Sequence, residues 1–158
     1  MPNSIRYHFS QCFNVPALKA HKWCTNYDPQ DHALMQVNSK REILHISENT
    51  IVLTDKYRNK NKSVMRQKLV CLYPNQLSWT NTHLTGPNKY SQYLYRIVPE
   101  SKMTCRLERA SLQVEYSNRK RFNKKEIELV AEKLRNEDSA AWKLLAAEME
   151  RESRMKLI

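Results

Sequence analysis

Glycine is nearly absent from this chain, with Gly86 the one example in 158 residues. A G-x-G-x-x-G turn and a P-loop both need several glycines, so nucleotide chemistry built on either is excluded. No two of the four cysteines, Cys12, Cys24, Cys71 and Cys105, form a C-x-x-C pair. Zinc-ribbon and thioredoxin-type sites therefore have no basis, and reduced, partly buried thiols are expected. His8, His21, His32 and His45 lack metal-ligand spacing, so neither a metal nor a cofactor is expected. No apolar run approaches the ~20 residues of a membrane-spanning helix, and Met1 to Ser10 lacks the apolar centre of a signal peptide. A cytoplasmic protein follows as the expectation.

What remains is an ordinary globular composition, 41% hydrophobic and 27% charged, of a length that suits one domain over residues 1–158. The formal charge is +11, and the helical last quarter does not account for it: Arg119 onward holds 11 Lys/Arg against 8 Asp/Glu, or +3, leaving +8 on the rest. The densest basic run is Arg119, Lys120, Arg121, Lys124 and Lys125. It can meet phosphate, an acidic protein or an anionic lipid surface, or it can serve only as a solubilising face.

Asn123 stands three residues before Glu126, the spacing of a reciprocal capping box. Ile127, Val130, Ala131, Leu134, Ala141, Leu145 and Met149 then recur at helical intervals with no glycine or proline between them. The pattern predicts one helix from Asn123 to about Glu152. A helix that long needs an equally long apolar partner, and an antiparallel sheet supplies one.

Upstream the chain reads mainly as strands. Ile5, Tyr7, Phe9, Phe13 and Val15 share one parity of a first strand over Ser4 to Val15. Two short helices follow: one opened by Pro16 with Ala17, Ala20, Trp23 and Cys24 inward, and one capped by Asp28 before Pro29, with Ala33, Leu34 and Met35 inward. Six further strands are expected between Ser39 and Tyr116, divided by hairpin-length turns. Gly86 marks the turn most in need of a positive φ. The apolar parity of the last strand changes between Leu107 and Ala110, which predicts a β-bulge near Glu108 to Ala110.

This element order, with Val15-Pro16-Ala17, Trp23 and the Tyr27-Asp28-Pro29 break near the start and Pro99-Glu100 before Thr104-Cys105-Arg106-Leu107, resembles the START-like superfamily, also called SRPBCC. The resemblance implies an α+β helix-grip fold: a curved seven-stranded antiparallel sheet wrapped around a long C-terminal helix, with two short helices after strand 1 and a hydrophobic cavity between sheet and helix. Members bind lipids, polyketides and other apolar molecules, and some are cyclases or dehydratases. Fold alone does not choose among these.

Hairpin counting predicts what lines that cavity. A three-residue Gly86-Pro87-Asn88 loop places His83 opposite Ser91, Asn81 opposite Tyr93 and Trp79 opposite Tyr95. The same count across Pro74-Asn75-Gln76 sets Gln67 against His83 and Leu69 against Asn81, with Arg66 and Lys68 outside. Arg41 then faces Asp55, and Asp55 faces Gln67. The predicted ligand-binding set is Asp55, Gln67, Leu69, Trp79, Asn81, His83, Tyr93 and Tyr95. The polar row Arg41, Asp55, Gln67, His83 and Ser91 either satisfies itself or lines a wet mouth. A general-base reading of His83 beside a carboxylate, with Tyr93 as hydroxyl donor, is the minimum for weak cyclase or dehydratase chemistry. The competing assignment is a structural Arg41–Asp55 ion pair and a cavity that only binds.

Overall fold

The computed structural model describes residues 2–27, 39–116 and 121–158. The second short helix expected around Asp28 to Met35, together with Arg119 and Lys120 of the basic run, lies outside them. Strand β1 (Pro2–Phe13) is followed by helix α1 (Ala17–Thr25), and then by β2 (Ser39–Ser47), β3 (Thr50–Asn59), β4 (Lys62–Tyr73), β5 (Ser78–His83), β6 (Gln92–Pro99) and β7 (Cys105–Tyr116). The long helix α2 (Lys124–Arg154) comes last. The strands form one antiparallel sheet in the order β1-β7-β6-β5-β4-β3-β2. This is the α+β helix-grip arrangement.

Helix α2 starts where its capping chemistry places it. The Glu126 amide donates to Asn123 Oδ1 at 2.9 Å, and the Asn123 amide donates to Glu126 Oε2 at 2.7 Å. Two orphan amides of the first turn are thereby satisfied. The helix continues unbroken through Glu137 and Asp138 for 31 residues and packs chiefly on β1. Its first half sets Ile127, Val130, Ala131 and Leu134 against Ile5 and Tyr7. Its second half sends Leu145, Ala146 and Met149 into a core shared with Phe13, Trp23 and Leu107. Leu134 is half-buried, whereas Met149 is fully enclosed.

The alternation of β1 is realised, with Ile5, Tyr7, Phe9 and Phe13 buried as read and Asn3 buried ahead of them; the strand ends at Phe13, and buried Val15 lies beyond it. Strand β7 departs from expectation. Its register with both neighbours runs without interruption, Phe9 opposite Arg109 and Tyr95 opposite Arg109, so the bulge expected near Glu108 to Ala110 does not form. The inward parity of Cys105 and Leu107 instead continues through Arg109, Ser111 and Gln113. Apolar periodicity misleads here because Arg109 and Gln113 find polar partners elsewhere in the fold, Asp138 and Tyr93. The register shift that does occur lies in β2–β3, between His45 and Ser47.

A second correction concerns β4. Its pairing is Asp55 with Arg66, and Lys68 with His83, one residue away from the expected register at each edge. The β3–β4 turn contains only Lys60 and Asn61, both at positive φ (47° and 65°), as a two-residue type I′ hairpin requires. At the other end Leu77 adopts a left-handed φ of 48° after the 3-10 turn Pro74–Gln76, so four residues join Tyr73 to its partner Ser78. The two shifts add to two residues, aligning His83 with Leu53 across β4, so β3 and β5 keep their faces and only β4 is inverted. Arg66, Lys68, Val70 and Leu72 turn inward, while Gln67 and Leu69 turn to the outer face.

The shortage of glycine is met by L-residues in the left-handed region. Gly86 (φ 94°) has the expected positive φ, within a β5–β6 connection over residues 84–91 that is longer than the expected three-residue loop, but Lys60, Asn61, Leu77 and Tyr90 also have positive φ. Asn tolerates this region through local hydrogen bonding; Leu and Tyr are held there by the surrounding ladders. Among the described residues no disulfide joins any of the cysteines. The Cys105 thiol, fully buried, donates to the Val15 carbonyl at 3.2 Å.

Met149→Ala should cost ~2–5 kcal/mol as a fully buried large-to-small change. Leu134→Ala should cost less, because its side chain is only partly buried. Urea unfolding midpoints of the two variants check the order, and a larger loss at Leu134 would contradict this packing of α2.

Candidate functional site

The β5–β6 hairpin builds the aromatic wall of a cavity. Trp79 pairs with Tyr95 and Asn81 with Tyr93, and all four are buried on one parity, with the alternate β6 residues Gln92, Leu94 and Arg96 exposed. The Trp79 and Tyr95 rings stack, with centroids 4.9 Å apart and planes 2° from parallel. His21 of α1 meets Trp79 edge-on at 5.6 Å, and Trp142 of α2 tilts against Tyr95 at 5.8 Å. Offset and edge contacts of this kind hold large rings without filling all the space between them. The remaining cavity measures about 320 Å³, between the sheet, α1 and α2.

Five residues expected from the sequence line this cavity: Trp79, Asn81, His83, Tyr93 and Tyr95. Asp55 is buried just behind the wall, and Gln67 and Leu69 lie on the outer parity through the β4 inversion. In their place β4 contributes Arg66 and Lys68. Sequence reasoning also missed Arg109 and Asp138, now wall residues. An unbroken odd parity in β7 was the available signal for Arg109. Nothing local distinguishes Asp138 from its acidic neighbours on α2. Trp142 of α2 is a wall residue as well.

Two carboxylates organise the charged part of the wall. Asp55, 2% exposed, takes Arg41 through Nε at 2.7 Å and Nη2 at 3.0 Å, and Lys68 Nζ lies 3.5 Å away. The fork geometry suits a guanidinium, which is where the expected structural ion pair is found. Asp138 on α2 takes Arg109 Nη1 at 2.9 Å and the Tyr7 hydroxyl. The Arg109 guanidinium also stands 4.4 Å from the Tyr93 ring centroid and 5.3 Å from that of Tyr95. Planar stacking on rings is a guanidinium property that lysine does not share. Gln113 accepts from Tyr93 at 3.1 Å, and buried Ser91 accepts from the Val114 amide at 2.8 Å. Of the expected polar row, Arg41 and Asp55 satisfy each other and Ser91 is satisfied by a backbone amide, whereas Gln67 leaves the row with the β4 inversion.

These surroundings set the protonation states. His83 is pushed down from 6.5 to about 3, first by burial and then by the Lys68, Arg66 and Arg109 charges, with Asp55 a smaller opposing influence. Tyr93 is pushed up to about 12, chiefly by burial. Burial likewise lowers Lys68, against the opposing pull of Asp55. At neutral pH His83 is an uncharged imidazole and Tyr93 a neutral phenol. A base with so low a proton affinity is poorly matched to proton abstraction near pH 7. Of the basic run, Arg121, Lys124 and Lys125 are exposed at the start of α2.

No family model matches the sequence, and no curated protein matches it. Solved structures do match in fold. The Zhui aromatase/cyclase from Streptomyces sp. R1128 is similar with a TM-score of 0.73 at 16% identity, over 95% of this chain and 96% of that one. A START superfamily protein from Mycobacterium smegmatis gives 0.67 at 16% identity, over 93% and 98%. Norcoclaurine synthase from Thalictrum flavum, solved with dopamine and hydroxybenzaldehyde, gives 0.66 at 13% identity, over 94% and 87%.

Burial of neutral His83 makes stability depend on pH. Its folded value lies below its unfolded one, so the unfolded chain binds the extra proton, and stability is lost as pH falls from 6.5 towards 3. His83→Gln should remove that component. Urea midpoints at pH 7 and pH 5 should fall less in the variant than in the parent; equal losses would show that His83 is not the titrating group. Seven antiparallel strands gripping one long helix, with a cavity between them, give the chain the helix-grip fold that it shares with the aromatase/cyclase and the START superfamily protein.

Proposed function

We propose that this protein binds an aromatic or otherwise apolar small molecule in the cavity between β5–β6 and α2. The carrying observation is the cavity itself: about 320 Å³, walled by Trp23, Trp79, Tyr93, Tyr95 and Trp142 with a few fixed polar groups. Apolar walls with a small number of oriented polar side chains are the usual makeup of a small-molecule site, and the volume is within the range such sites occupy. Neighbours in fold include an aromatase/cyclase and a synthase solved with two aromatic molecules, which supports an aromatic occupant here.

The physical chemistry favours binding over turnover. Weak cyclase or dehydratase chemistry through His83 requires a competent base, and an imidazole with a pKa of about 3 is not one near neutral pH. Tyr93, held as a neutral phenol, is suited to orienting an occupant.

A neutral environment-sensitive dye, N-phenyl-1-naphthylamine, tests the proposal directly. Its fluorescence should rise saturably with the folded protein and be indifferent to salt, because the contacts are apolar. Ala141→Phe, which adds bulk at a wall position on α2, should weaken binding by about tenfold or more through overpacking. Ala140→Phe, at the exposed neighbouring position, should leave it unchanged. Equal dye binding by both variants would reject the cavity as the site.

A further inference from the structure

We propose that the occupant of this cavity is an aromatic acid whose anionic group is held by Arg66. The inference rests on the cavity-binding reading and adds the charge of the ligand to it. Among the described residues four cationic side chains line the cavity, Arg41, Arg66, Lys68 and Arg109. The carboxylates set against them are Asp55 and Asp138. Arg41 and Lys68 converge on Asp55, and Arg109 is held by Asp138. Arg66 has no carboxylate partner among the described residues. Its guanidinium lies over the Tyr57 ring, 5.3 Å from the centroid, and its Nε is buried without a hydrogen-bond acceptor.

A guanidinium in a cavity wall with an unused, desolvated donor is unfavourable when the cavity is empty and well matched to an oxyanion. Arg109, 7% exposed, also carries a buried Nε without an acceptor. The same excess of cations contributes to the depression of His83, after burial. A neutral apolar occupant would leave these donors unanswered, whereas a carboxylate answers them and its ring uses the Trp79–Tyr95 and Trp142 surfaces. Asn81 adds a further feature, a buried Oδ1 with no donor, to which a ligand hydroxyl can donate. Arg66 is held in this position by the inverted β4 register and passes beside Gly86, where an added Cβ would lie 3.6 Å from its Nε.

The test compares 2-naphthoate with its neutral counterpart 2-naphthalenemethanol at pH 7, read by quenching of tryptophan fluorescence and by calorimetry. Wild-type protein should bind the acid about tenfold or more tightly than the alcohol, the scale of a single charge-assisted contact. Arg66→Met should bring the acid down to the affinity of the alcohol without changing the alcohol, while Arg6→Met, exposed on β1, should change neither. Equal wild-type affinities for the two compounds would overturn the charge selectivity and leave the cavity reading standing. Binding of neither compound would overturn both. A preference for the acid that persists in folded Arg66→Met would overturn the role of Arg66. The wild-type comparison needs no variant, so it decides the ligand's charge even if Arg66→Met fails to fold.

Discussion

The contact between Arg109 and Asp138 is the interaction on which the interior depends. Arg109 is a charged residue near the middle of β7, a strand paired on both sides, facing inward between Tyr93, Tyr95 and Phe9. Such a charge is tolerated only with a partner and with aromatic faces to replace water. The partner comes from the long helix, so the ion pair also fixes how α2 lies across the sheet. Tyr7 on β1 donates to the same Asp138 carboxylate, and its hydroxyl lies 3.4 Å from Gln113 Oε1 on β7. A strand edge, a central strand and the helix thus share one buried polar cluster, and its geometry keeps the space beside it open.

The aromatic wall and the charged wall arise from different parts of the sheet. Strands β5 and β6 present rings because their inward positions are Trp79, Tyr93 and Tyr95. Strand β4 presents cations because two unusual turns set its register, Lys60-Asn61 on one side and left-handed Leu77 on the other. A one-residue slip in β4 would bury Gln67 and Leu69 and expose Arg66 and Lys68. The cavity would then be an apolar pocket with little charge. Turn conformation therefore determines the electrostatics of a wall several residues away.

Helix α2 closes the cavity while serving the core at both ends. Its N-terminal half rests on Ile5 and Tyr7, its C-terminal half on Phe13, Trp23 and Leu107, and the stretch between carries Asp138, Ala141 and Trp142 to the cavity. Further contacts tie its last turns to the β1–α1 region: the Trp23 indole donates to Glu152 and the Asn14 amide to Glu150. Ala141, a small side chain, lines the cavity beside the large Trp142.

Local chemistry determined much of this protein. The capping box at Asn123 and Glu126, the unbroken helical period of α2, the alternation of β1 and the β5–β6 hairpin around Gly86 are short-range properties of covalent geometry and side-chain pattern, and all four are legible in the chain. They suffice for the helix-grip fold and for five wall residues of the cavity. The register of β4, the inward course of Arg109 and its match with Asp138 were settled only in three dimensions. Leu77 in a left-handed turn has no sequence signal comparable to glycine, because the ladders on either side hold it there. A buried arginine in a strand reads as an outward residue until a carboxylate 29 positions later in the chain, on another element, is brought within hydrogen-bond distance. Periodicity reports the average cost of burying a side chain, whereas the tertiary structure decides which polar groups find partners and so which ones face inward.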